Sequence, residues 1–499
     1  MSYRFFEMVP AIAAWGTLLG LIFLSWQIPT VVVIFIVLFD LLWFLKTVYL
    51  FFHLRFSFAE LRKNMRTDWF ARLKKEKSGE WERFYHLVVF PMYHEGEEVV
   101  RESFKSLCAA NYPLEKMIVV LAIEEAGGEE DRALALAMRE EFGKRFAYFS
   151  VTKHPSNIPG ELRGKGSNET FAVKQVKREI IDVQHIPYED IIVSVFDIDT
   201  RPGGEYFALL THQYLSVPFP ERSSFQPIPL FTNNVYHVSA FARLTGFSAT
   251  FWQLMQQGRP EQLVTFSSHS MPFKALVEVG FWQTDIVSED SRIFFQCMLH
   301  YKGDWKAVPL HYPIFMDAVS GSNFWEAMVS LYKQQRRWAW GAENFAYVMH
   351  DFFRRKDIPR KIKRFWSWRI FDGFLSWSTS SFIIFLFGWL PNLLGGEAFR
   401  TTLFSYNLPR VTGWLVNLAS IGIATSALLS IVLLPPKRPE GFGKHRVFLY
   451  FLQWILMPFT FIVFGSIPAL EAQTRLMLGG RFRLGFWKTP KSAAARKSG

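Results

Sequence analysis

Long uninterrupted apolar runs lie near both ends of the chain, whereas the middle alternates short apolar segments with charged ones. Residues 8–28 carry no charge, and residues 31–53 carry one acidic and one basic residue, Asp40 and Lys46. Each run is long enough to cross a hydrocarbon core ~30 Å thick, and Pro29 separates the two. We therefore expect a transmembrane helical hairpin at the N-terminus. Because charges inside a span are costly, these two side chains either face neighbouring helices or line a path for a polar product.

Three further charge-free stretches lie near the C-terminus, at residues 373–396, 411–436 and 447–470. The third is interrupted by Pro458 and Pro468 and has basic segments on both sides. The positive-inside rule places both of these flanks in the cytosol. We therefore expect a re-entrant or broken helical hairpin in the third stretch. The alternative is that the basic tail lies on the outer side, against the rule.

The middle of the chain alternates predicted strands with predicted helices. The strand candidates are short apolar segments at residues 84–93, 116–125, 146–153 and 191–199. Charged helical patterns lie between them, for example at 129–142 and 168–181. This alternation predicts an α/β fold with a parallel sheet and helices on both faces. In such sheets the functional site lies at the carboxyl ends of the strands.

The composition is that of a membrane protein with a sizeable water-soluble part, since 50% of the residues are hydrophobic and 20% are charged. The net charge of +12 first suggests nucleic acid as a partner. However, the basic residues crowd beside the apolar runs, which is typical of membrane topology, so we expect no nucleic acid. Two cysteines are too few for a disulfide framework. We divide the chain into a transmembrane hairpin (1–55), a cytosolic α/β domain (84–345), interfacial amphipathic helices (324–370), transmembrane segments (371–470) and a basic cytosolic tail (471–499).

The first candidate site is the segment VSVFDIDTRPGG, in which an apolar strand ends in Asp197 and Asp199. Side chains two residues apart on an extended chain point the same way. Two carboxylates at a strand end suit Mg²⁺ or Mn²⁺, which keeps its other positions for phosphate oxygens and water. Such a metal neutralises charge on a diphosphate leaving group. A solvated turn is the alternative, because an Asp-x-Asp motif alone is weak evidence.

The second candidate is Glu289 and Asp290, which precede an apolar helical run. One interpretation is structural: Ser288 caps the helix, and the acids interact favourably with its dipole. The other interpretation is catalytic, with Asp290 as a general base that takes the proton from an attacking hydroxyl group.

The third candidate is the segment QQRRWAWGAENF, in which Gln334, Arg337 and Trp338 share one helical face. A guanidinium binds a diphosphate in a forked geometry, and an indole covers the apolar face of a sugar ring. The alternative is a basic aromatic helix that only anchors the chain at a membrane surface. Arg336 and Trp340 lie off that face, and we assign them to anchoring.

Together, Asp-x-Asp, an acidic pair that ends in Asp, and Gln-x-x-Arg-Trp on one α/β domain between membrane spans resemble the membrane-integrated family 2 glycosyltransferases. Cellulose, hyaluronan and chitin synthases and ceramide glucosyltransferases share this arrangement. The resemblance covers residues 84–345. It implies a nucleotide-diphospho-sugar transferase domain of the glycosyltransferase A type, inserted between transmembrane helices.

The resemblance also implies individual roles. The segment FPMYHEGEE is similar to the family's opening strand and loop, so that Pro91, Tyr93 and Glu95 border the nucleotide. The segment VLAIEE takes the place of the family's acidic nucleotide contact, which is usually Asp and is here Glu124 or Glu125.

Further roles follow from the remaining motifs. Lys165 in RGKGSNE matches the lysine that reaches the diphosphate or sugar, and a solvated loop lysine is the alternative. SED stands where the family has Thr-Glu-Asp, which makes Asp290 the base beside Glu289. The last motif makes Arg337 a donor contact and Gln334 and Trp338 acceptor contacts. Thr489 matches either a gating loop or an ordinary basic tail.

The resulting expectation is an inverting, metal-dependent hexosyltransferase at the plasma membrane, with its catalytic domain in the cytosol. It transfers from a UDP-sugar to a growing β-linked polysaccharide. Transfer of one sugar to a membrane lipid is the first alternative, and a transporter with a nucleotide-sensing domain is the second. The sugar, the linkage position and the oligomeric state do not follow from the sequence.

Overall fold

An eight-stranded mixed sheet forms the centre of the molecule in the computed structural model, which describes residues 2–432 and 443–485. The strand order is β3-β2-β1-β4-β7-β6-β8-β5. The strands are β1 (Tyr85–Met92), β2 (Met117–Glu124), β3 (Tyr148–His154), β4 (Ile191–Val195), β5 (Arg201–Pro202), β6 (Ser223–Phe231), β7 (Ser270–Pro272) and β8 (Lys306–Met316).

The four strands predicted from apolar runs are confirmed as β1 to β4, and they pair in parallel. Every residue of β2 and of β4 is buried. Strands covered on both faces carry continuous apolar runs, so the sequence pattern and the sheet agree here.

The prediction of a parallel sheet is wrong for the other half. Strand β7 is antiparallel to β4 and β6, whereas β8 is parallel to β6 and antiparallel to β5. Strands β6 and β8 each contain two prolines, and the β6–β8 register shifts between Gln226 and Ile228. Proline in a segment argues against a central strand, so the sequence pattern did not reveal these strands.

Helices cover the sheet, and further helices lie at both ends of the chain. The helices before and within the α/β part are α1 (Tyr3–Gln27), α2 (Pro29–Arg66), α3 (Trp69–Glu76), α4 (Glu97–Cys108), α5 (Gly128–Phe142), α6 (Lys165–Val176), α7 (Tyr206–Tyr214), α8 (Ala240–Gln257), α9 (Phe273–Glu278), α10 (Glu289–His300), α11 (Phe324–Ala339) and α12 (Glu343–Arg354). Those that follow are α13 (Arg360–Phe385), α14 (Leu390–Leu394), α15 (Gly396–Arg400), α16 (Leu403–Val432), α17 (Lys444–Leu452), α18 (Met457–Phe461) and α19 (Ile467–Leu478).

The predicted N-terminal hairpin is present as α1 and α2, with Ile28 between them. Helix α2 continues past the predicted apolar run into the basic segment and meets the α/β domain. Its His53 Nδ1 lies 3.0 Å from the carbonyl oxygen of Gly258, and Asn64 donates to the carbonyl of Leu310 at 3.2 Å.

Among the described residues, three helical segments have the length and hydropathy to cross a membrane: α1, α2 and residues 445–478. A fourth candidate is α13 with the short helices after it, which bend by 49°. Within this bundle the two charged residues in the apolar part of α2 have different surroundings. Lys46 lies 3.9 Å from Asp372 of α13, while Asp40 is buried.

The third C-terminal stretch forms one continuous helical segment and a single candidate span, rather than the expected re-entrant or broken hairpin. A 3₁₀ turn and a π turn at Ile462–Ser466 connect α17, α18 and α19 within it. Both ends of this segment contact the α/β domain. Tyr450 accepts a hydrogen bond from Arg243 at 2.9 Å, and Tyr332 donates to Glu471 at 2.7 Å. Residues 486–499 of the basic tail, including Thr489, lie outside the described residues.

Candidate functional site

The carboxyl end of β4 carries the Asp-x-Asp motif, and its two carboxylates have different surroundings. Asp197 is partly exposed and accepts a hydrogen bond from Ser267 Oγ at 2.7 Å. Asp199 is 1% exposed, and its carboxylate accepts the backbone N–H of Asp317 at 2.9 Å. Asp197 is therefore accessible to solvent, whereas Asp199 ties β4 to the segment after β8.

Lys165, the first residue of α6, joins two of the predicted site residues. Its ammonium nitrogen lies 3.0 Å from Asp197 Oδ1 and 2.7 Å from Asp290 Oδ1. Burial lowers the pKa of Lys165, but the carboxylates of Asp197 and Asp290 outweigh this effect and hold its pKa well above the ordinary value. The side chain is 11% exposed, so Lys165 is not the solvated loop lysine of the alternative interpretation.

Asp290 lies in the first turn of α10, as the sequence predicts. Ser288 makes no capping hydrogen bond with its side chain. Instead, its hydroxyl donates to Glu343 Oε1 at 2.5 Å. The backbone carbonyl of Asp290 accepts a hydrogen bond from Thr265 at 2.5 Å, which fixes the start of the helix against the segment before β7. The structural interpretation through a serine cap is therefore wrong, although the acids do occupy the favourable end of the helix dipole.

His269 is a site residue that the sequence did not reveal. Its Nδ1 lies 3.9 Å from Asp290 Oδ1 and 3.1 Å from the carbonyl oxygen of Phe266. Burial lowers the pKa of His269 to about 4, so the ring is neutral near pH 7. The preceding Ser268 has φ +66°, a left-handed conformation that is uncommon outside glycine. No recognisable motif surrounds this histidine, and only the fold places it beside Asp290.

Glu289 is buried beside Asp290, 3% exposed. Burial and then the negative charge of Asp290 raise the pKa of Glu289 to about 8, against the opposing effects of Lys165 and Arg337. Because Arg337 acts on Glu289 across the site, the acidic pair and the Gln-x-x-Arg-Trp segment lie together in the structure.

The face of α11 predicted from the sequence points into the site. Gln334 is buried, and the Trp338 ring packs against Phe266 and Phe231, with ring centroids 5.6 Å and 6.1 Å away. A small cavity beside the indole is lined almost entirely by apolar side chains. Its lining residues are Phe231, Ala242, Thr245, Gly246, Ala318, Val319, Leu331, Gln334 and Trp338.

The assignment of Arg336 and Trp340 to membrane anchoring is wrong, because both side chains contact other parts of the protein. Arg336 donates to Glu471 of α19 at 2.6 Å. Trp340 is 2% exposed and donates from its indole nitrogen to Glu343 at 3.0 Å. Both side chains attach α11 to the rest of the protein, which removes Trp340 from any lipid surface.

The predicted nucleotide contacts lie at the carboxyl end of β1. Pro91 is within the strand, and Tyr93 and Glu95 follow it. The backbone N–H of Tyr93 donates to the Glu95 carboxylate. The guanidinium of Arg163 lies 4.4 Å from the centre of the Tyr93 ring, a distance within the range of a cation–π contact. Arg163 belongs to the segment just before Lys165, so this contact connects β1 to α6.

The two glutamates at the end of β2 differ in their availability. Glu124 is buried and lies 3.1 Å from His154 Nδ1, while the other ring nitrogen of His154 lies 2.9 Å from Glu161. Glu125 is exposed and accepts the backbone N–H of Ser156 at 2.8 Å. Both glutamates therefore have a partner within the protein, but only the carboxylate of Glu125 is exposed to solvent.

The residues at β4 fit a hard divalent cation that also takes ligands from a bound diphosphate. Among the described residues, no group of three or more His, Cys, Asp and Glu side chains is arranged to hold a metal. Mg²⁺ sites with phosphate ligands commonly use only one or two carboxylates. Asp197, with its partly exposed carboxylate, meets that requirement, and Asp199 lies two residues beyond it.

Comparison with known proteins adds independent information. The family described as "Glycosyl transferase family group 2" matches residues 192–464, more than half of the chain. No curated protein sequence gives a significant match. Among solved structures, a mannosyltransferase, PcManGT from Pyrobaculum calidifontis, in complex with GDP-Man and Mn²⁺, is 13% identical with TM-score 0.42, covering 87% of this chain and 98% of its own. TarS 1–349 from S. aureus, in complex with UDP-GlcNAc, is 11% identical with TM-score 0.39, covering 74% and 89%.

Proposed function

The chain belongs to glycosyl transferase family group 2, and from this premise we propose that it is an inverting glycosyltransferase that uses a UDP-sugar and a divalent metal. The family makes the protein a nucleotide-sugar transferase. Its α/β domain with apolar helices on both sides agrees with the fold expected from the sequence. The donor nucleotide, the transferred hexose, the metal, the stereochemistry and the acceptor are the parts that we propose.

One observation supports this proposal most strongly: the same ammonium group contacts both Asp197 and Asp290. Asp197 is proposed to hold the metal and diphosphate, and Asp290 is the proposed base. A single side-chain nitrogen thus lies between these two residues. A sugar carbon attached to a diphosphate at Asp197 therefore lies within reach of a hydroxyl group at Asp290. This proximity is what a single displacement needs.

In the proposed reaction, Asp290 accepts the proton of the acceptor hydroxyl while the hydroxyl oxygen attacks the anomeric carbon of the donor sugar. The bond between that carbon and the diphosphate breaks, and the nucleoside diphosphate leaves with the electron pair. Glu289 is buried with a raised pKa, so it is poorly suited to act as a carboxylate nucleophile. One base and one displacement predict inversion at the anomeric carbon.

The charge that develops on the leaving diphosphate requires cationic partners. We propose Asp197, together with Asp199, as the carboxylates that hold Mg²⁺ or Mn²⁺, which would neutralise this charge when bound. Lys165 and Arg337 are the protein cations at the site. The proposed neighbours of the nucleotide remain Pro91, Tyr93, Glu95, Glu124 and Glu125. Glu124 would act through its hydrogen-bond partner, His154.

We propose Trp338 and Gln334 as the acceptor site. Trp338 keeps part of its ring accessible between Phe231 and Phe266, as a stacking surface for a sugar requires. The apolar helices on both sides of the domain support membrane association, and we propose the plasma membrane as its location, with the catalytic side in the cytosol. A growing polysaccharide is the first candidate acceptor, because the acceptor helix α11 contacts α19 of the apolar bundle.

A membrane lipid is the second candidate acceptor, because the helices on both sides of the α/β domain are long and apolar enough to cross a membrane.

The test of the function is Asp290→Asn in the purified full-length protein, with nucleotide release measured across UDP-glucose, UDP-N-acetylglucosamine, UDP-glucuronate and GDP-mannose. Loss of a general base costs about 10²- to 10⁴-fold in rate, and we expect a loss in this range for the preferred donor. The matched control is Asp285→Asn, because Asp285 is an exposed aspartate five residues earlier. Full activity of Asp290→Asn would disprove the proposed base.

The acceptor is identified by the product. A high-molecular-weight product from the nucleotide-sugar alone supports the polysaccharide, whereas a lipid carrying one sugar supports the alternative. A transporter with a sensing domain predicts nucleotide binding but no nucleotide release with any donor and acceptor.

A further inference from the structure

Two buried carboxyl groups, Glu169 and Glu289, lie behind the proposed base, and the sequence motifs give no role to the first. Glu169 is on α6, one turn after Lys165, and Glu289 begins α10. The two helices are in close contact, since a Cβ added to Gly166 would lie 3.0 Å from the Cβ of Glu289. Glu169 is three residues after Gly166 and so lies on the same face of α6, towards Glu289.

The surroundings of Glu169 disfavour an isolated carboxylate. The residue is 0% exposed, and neither carboxylate oxygen has a hydrogen-bond partner in the part of the chain that the structure describes. A buried ionised carboxylate without a partner is strongly unfavourable, and the group binds a proton instead. A protonated Glu169 has a donor to offer, and Glu289 on the facing helix carries a carboxyl group that is suited to accept it.

The local balance of charge points the same way. Five ionisable residues from the surrounding elements act on the two carboxyls or on their immediate neighbours: Lys165 of α6, Asp290 of α10, Asp197 after β4, Arg337 of α11 and His269 before β7. Only Lys165 and Arg337 are cations, because His269 is neutral. Four carboxyl groups therefore surround two positive charges. Burial raises the pKa of Glu169 well above its ordinary value, and burial together with the charge of Asp290 raises that of Glu289.

We propose that Glu169 and Glu289 form a proton-binding pair that positions Lys165 for the donor. With the pair protonated, the ammonium of Lys165 has only Asp197 and Asp290 as anionic partners and exchanges one of them for the donor diphosphate. When the pair releases a proton to solvent, a further negative charge appears within the cluster. This charge retains Lys165 and repels the diphosphate, so that affinity for the donor falls. The inference rests on the proposed function, because it takes a nucleoside diphosphate as the ligand.

The first experiment measures the dissociation constants of UDP and GDP, with Mg²⁺, between pH 7 and 9.5 in the full-length protein. For linkage to one proton, the dissociation constant rises by up to about tenfold per pH unit above the pKa of the pair. We expect this rise in the wild type and its absence in Glu169→Gln, because the amide cannot ionise. A rise that persists in Glu169→Gln, or a wild type with no rise, overturns the proposal.

Two controls separate the pair from other groups. Glu179→Gln changes an exposed glutamate in the turn that follows α6, and we expect it to retain the rise. His154→Gln removes the other buried group near the donor edge whose pKa is raised, and we expect it to retain the rise as well. If the dissociation constant no longer rises with pH in His154→Gln but still rises in Glu169→Gln, then His154 causes the pH dependence and the pair is refuted.

Infrared difference spectroscopy tests the pair without a donor. The wild type at pH 7 should show the carbonyl band of a protonated carboxylic acid, and the band should decrease in Glu169→Gln and again in Glu289→Gln. If this band is present but neither nucleotide binds, the pair stands and the proposed function fails. If a nucleotide binds and the band is absent, the function stands and the pair fails. Should Glu169→Gln not fold, Glu289→Gln is expected to show the same loss of pH dependence.

Discussion

The ammonium nitrogen of Lys165 lies 2.7 Å from the carboxylate of Asp290. In this arrangement Lys165 occupies one carboxylate oxygen of the proposed base. The same nitrogen contacts Asp197 at 3.0 Å, so a donor diphosphate and its metal compete with both contacts. We infer that binding of the donor draws Lys165 away from Asp290 and frees that oxygen for the acceptor hydroxyl.

The first prediction is that Lys165→Met weakens donor binding and has a smaller effect on the fold. We expect loss of about 10²- to 10³-fold in kcat/KM, as for removal of one charge-stabilising donor, together with a measurable loss of UDP affinity. The measurement is calorimetric titration with UDP and Mg²⁺. The control is Lys174→Met on the exposed side of the same helix α6. Equal UDP affinity in Lys165→Met and the wild type would contradict a role at the diphosphate.

A second prediction separates Trp338, near the end of α11, from Trp340 in the 3₁₀ turn that follows it. Trp338→Ala should reduce transfer to the acceptor by about fivefold, the order expected from losing an aromatic contact of ~1 kcal/mol, and should leave UDP affinity unchanged. Trp338→Tyr should restore most of the transfer, because a ring returns to the site. The measurement compares product formation with UDP binding in each variant, and an equal loss of both would assign the effect to folding.

Trp340→Ala serves as the contrasting variant. Trp340 is almost fully buried and packs against Ala469, Ala472 and Leu476 of α19. Its removal leaves a cavity and should cost about 3–5 kcal/mol of stability. A lowered melting temperature in detergent is therefore the expected result. Stable Trp340→Ala protein that fails to associate with membranes would instead restore the anchoring interpretation.

The proposed site motifs could be recognised in the sequence because each is local. An Asp-x-Asp at a strand end, an acidic pair at a helix start and Gln-x-x-Arg-Trp on a helical face are all visible as short patterns. The parallel pairing of β4 with β1, followed by the antiparallel β7, brings these patterns together.

The remaining features depend on tertiary contacts and had no local signal. The burial of Glu169 follows from the packing of α6 on α10, and a glutamate in a helix is otherwise expected at the surface. His269 reaches Asp290 only because β7 pairs with β4. The prolines of β6 and β8 concealed half of the sheet. Arg336 and Trp340 lie in a sequence pattern that is typical of a membrane-surface helix. Their contact partners, however, lie in α19, more than a hundred residues later.

A third prediction concerns the contact between α11 and α19. Arg336 and Glu471 form a partly buried ion pair at 2.6 Å. A double-mutant cycle with Arg336→Ala and Glu471→Ala should give a coupling energy of about 0.5–3 kcal/mol, the range for residues in contact. Thermal unfolding in detergent provides the measurement. Arg475 also contacts Glu471 at 2.6 Å, so the cycle of Arg475 with Glu471 is the comparison. Strict additivity for Arg336 and Glu471 would show that the pair contributes nothing to docking of α19.

The last prediction is a loss of stability at high pH through His154. Both ring nitrogens of His154 face carboxylates, Glu124 at 3.1 Å and Glu161 at 2.9 Å, and only the imidazolium donates from both nitrogens. Burial lowers the pKa of His154, but the two glutamates outweigh this and raise it above the ordinary value. Because the folded pKa is raised, the stabilisation is fully present below the unfolded pKa of about 6.5 and is lost as pH rises through the folded pKa. We therefore expect the melting temperature to fall as pH increases from 6 to 9.

His154→Gln should have a lower melting temperature at pH 6 and a smaller dependence on pH, whereas His237→Gln, at an exposed position, should behave as the wild type. An unchanged pH dependence in His154→Gln would show that the two glutamates do not hold a charged histidine between them.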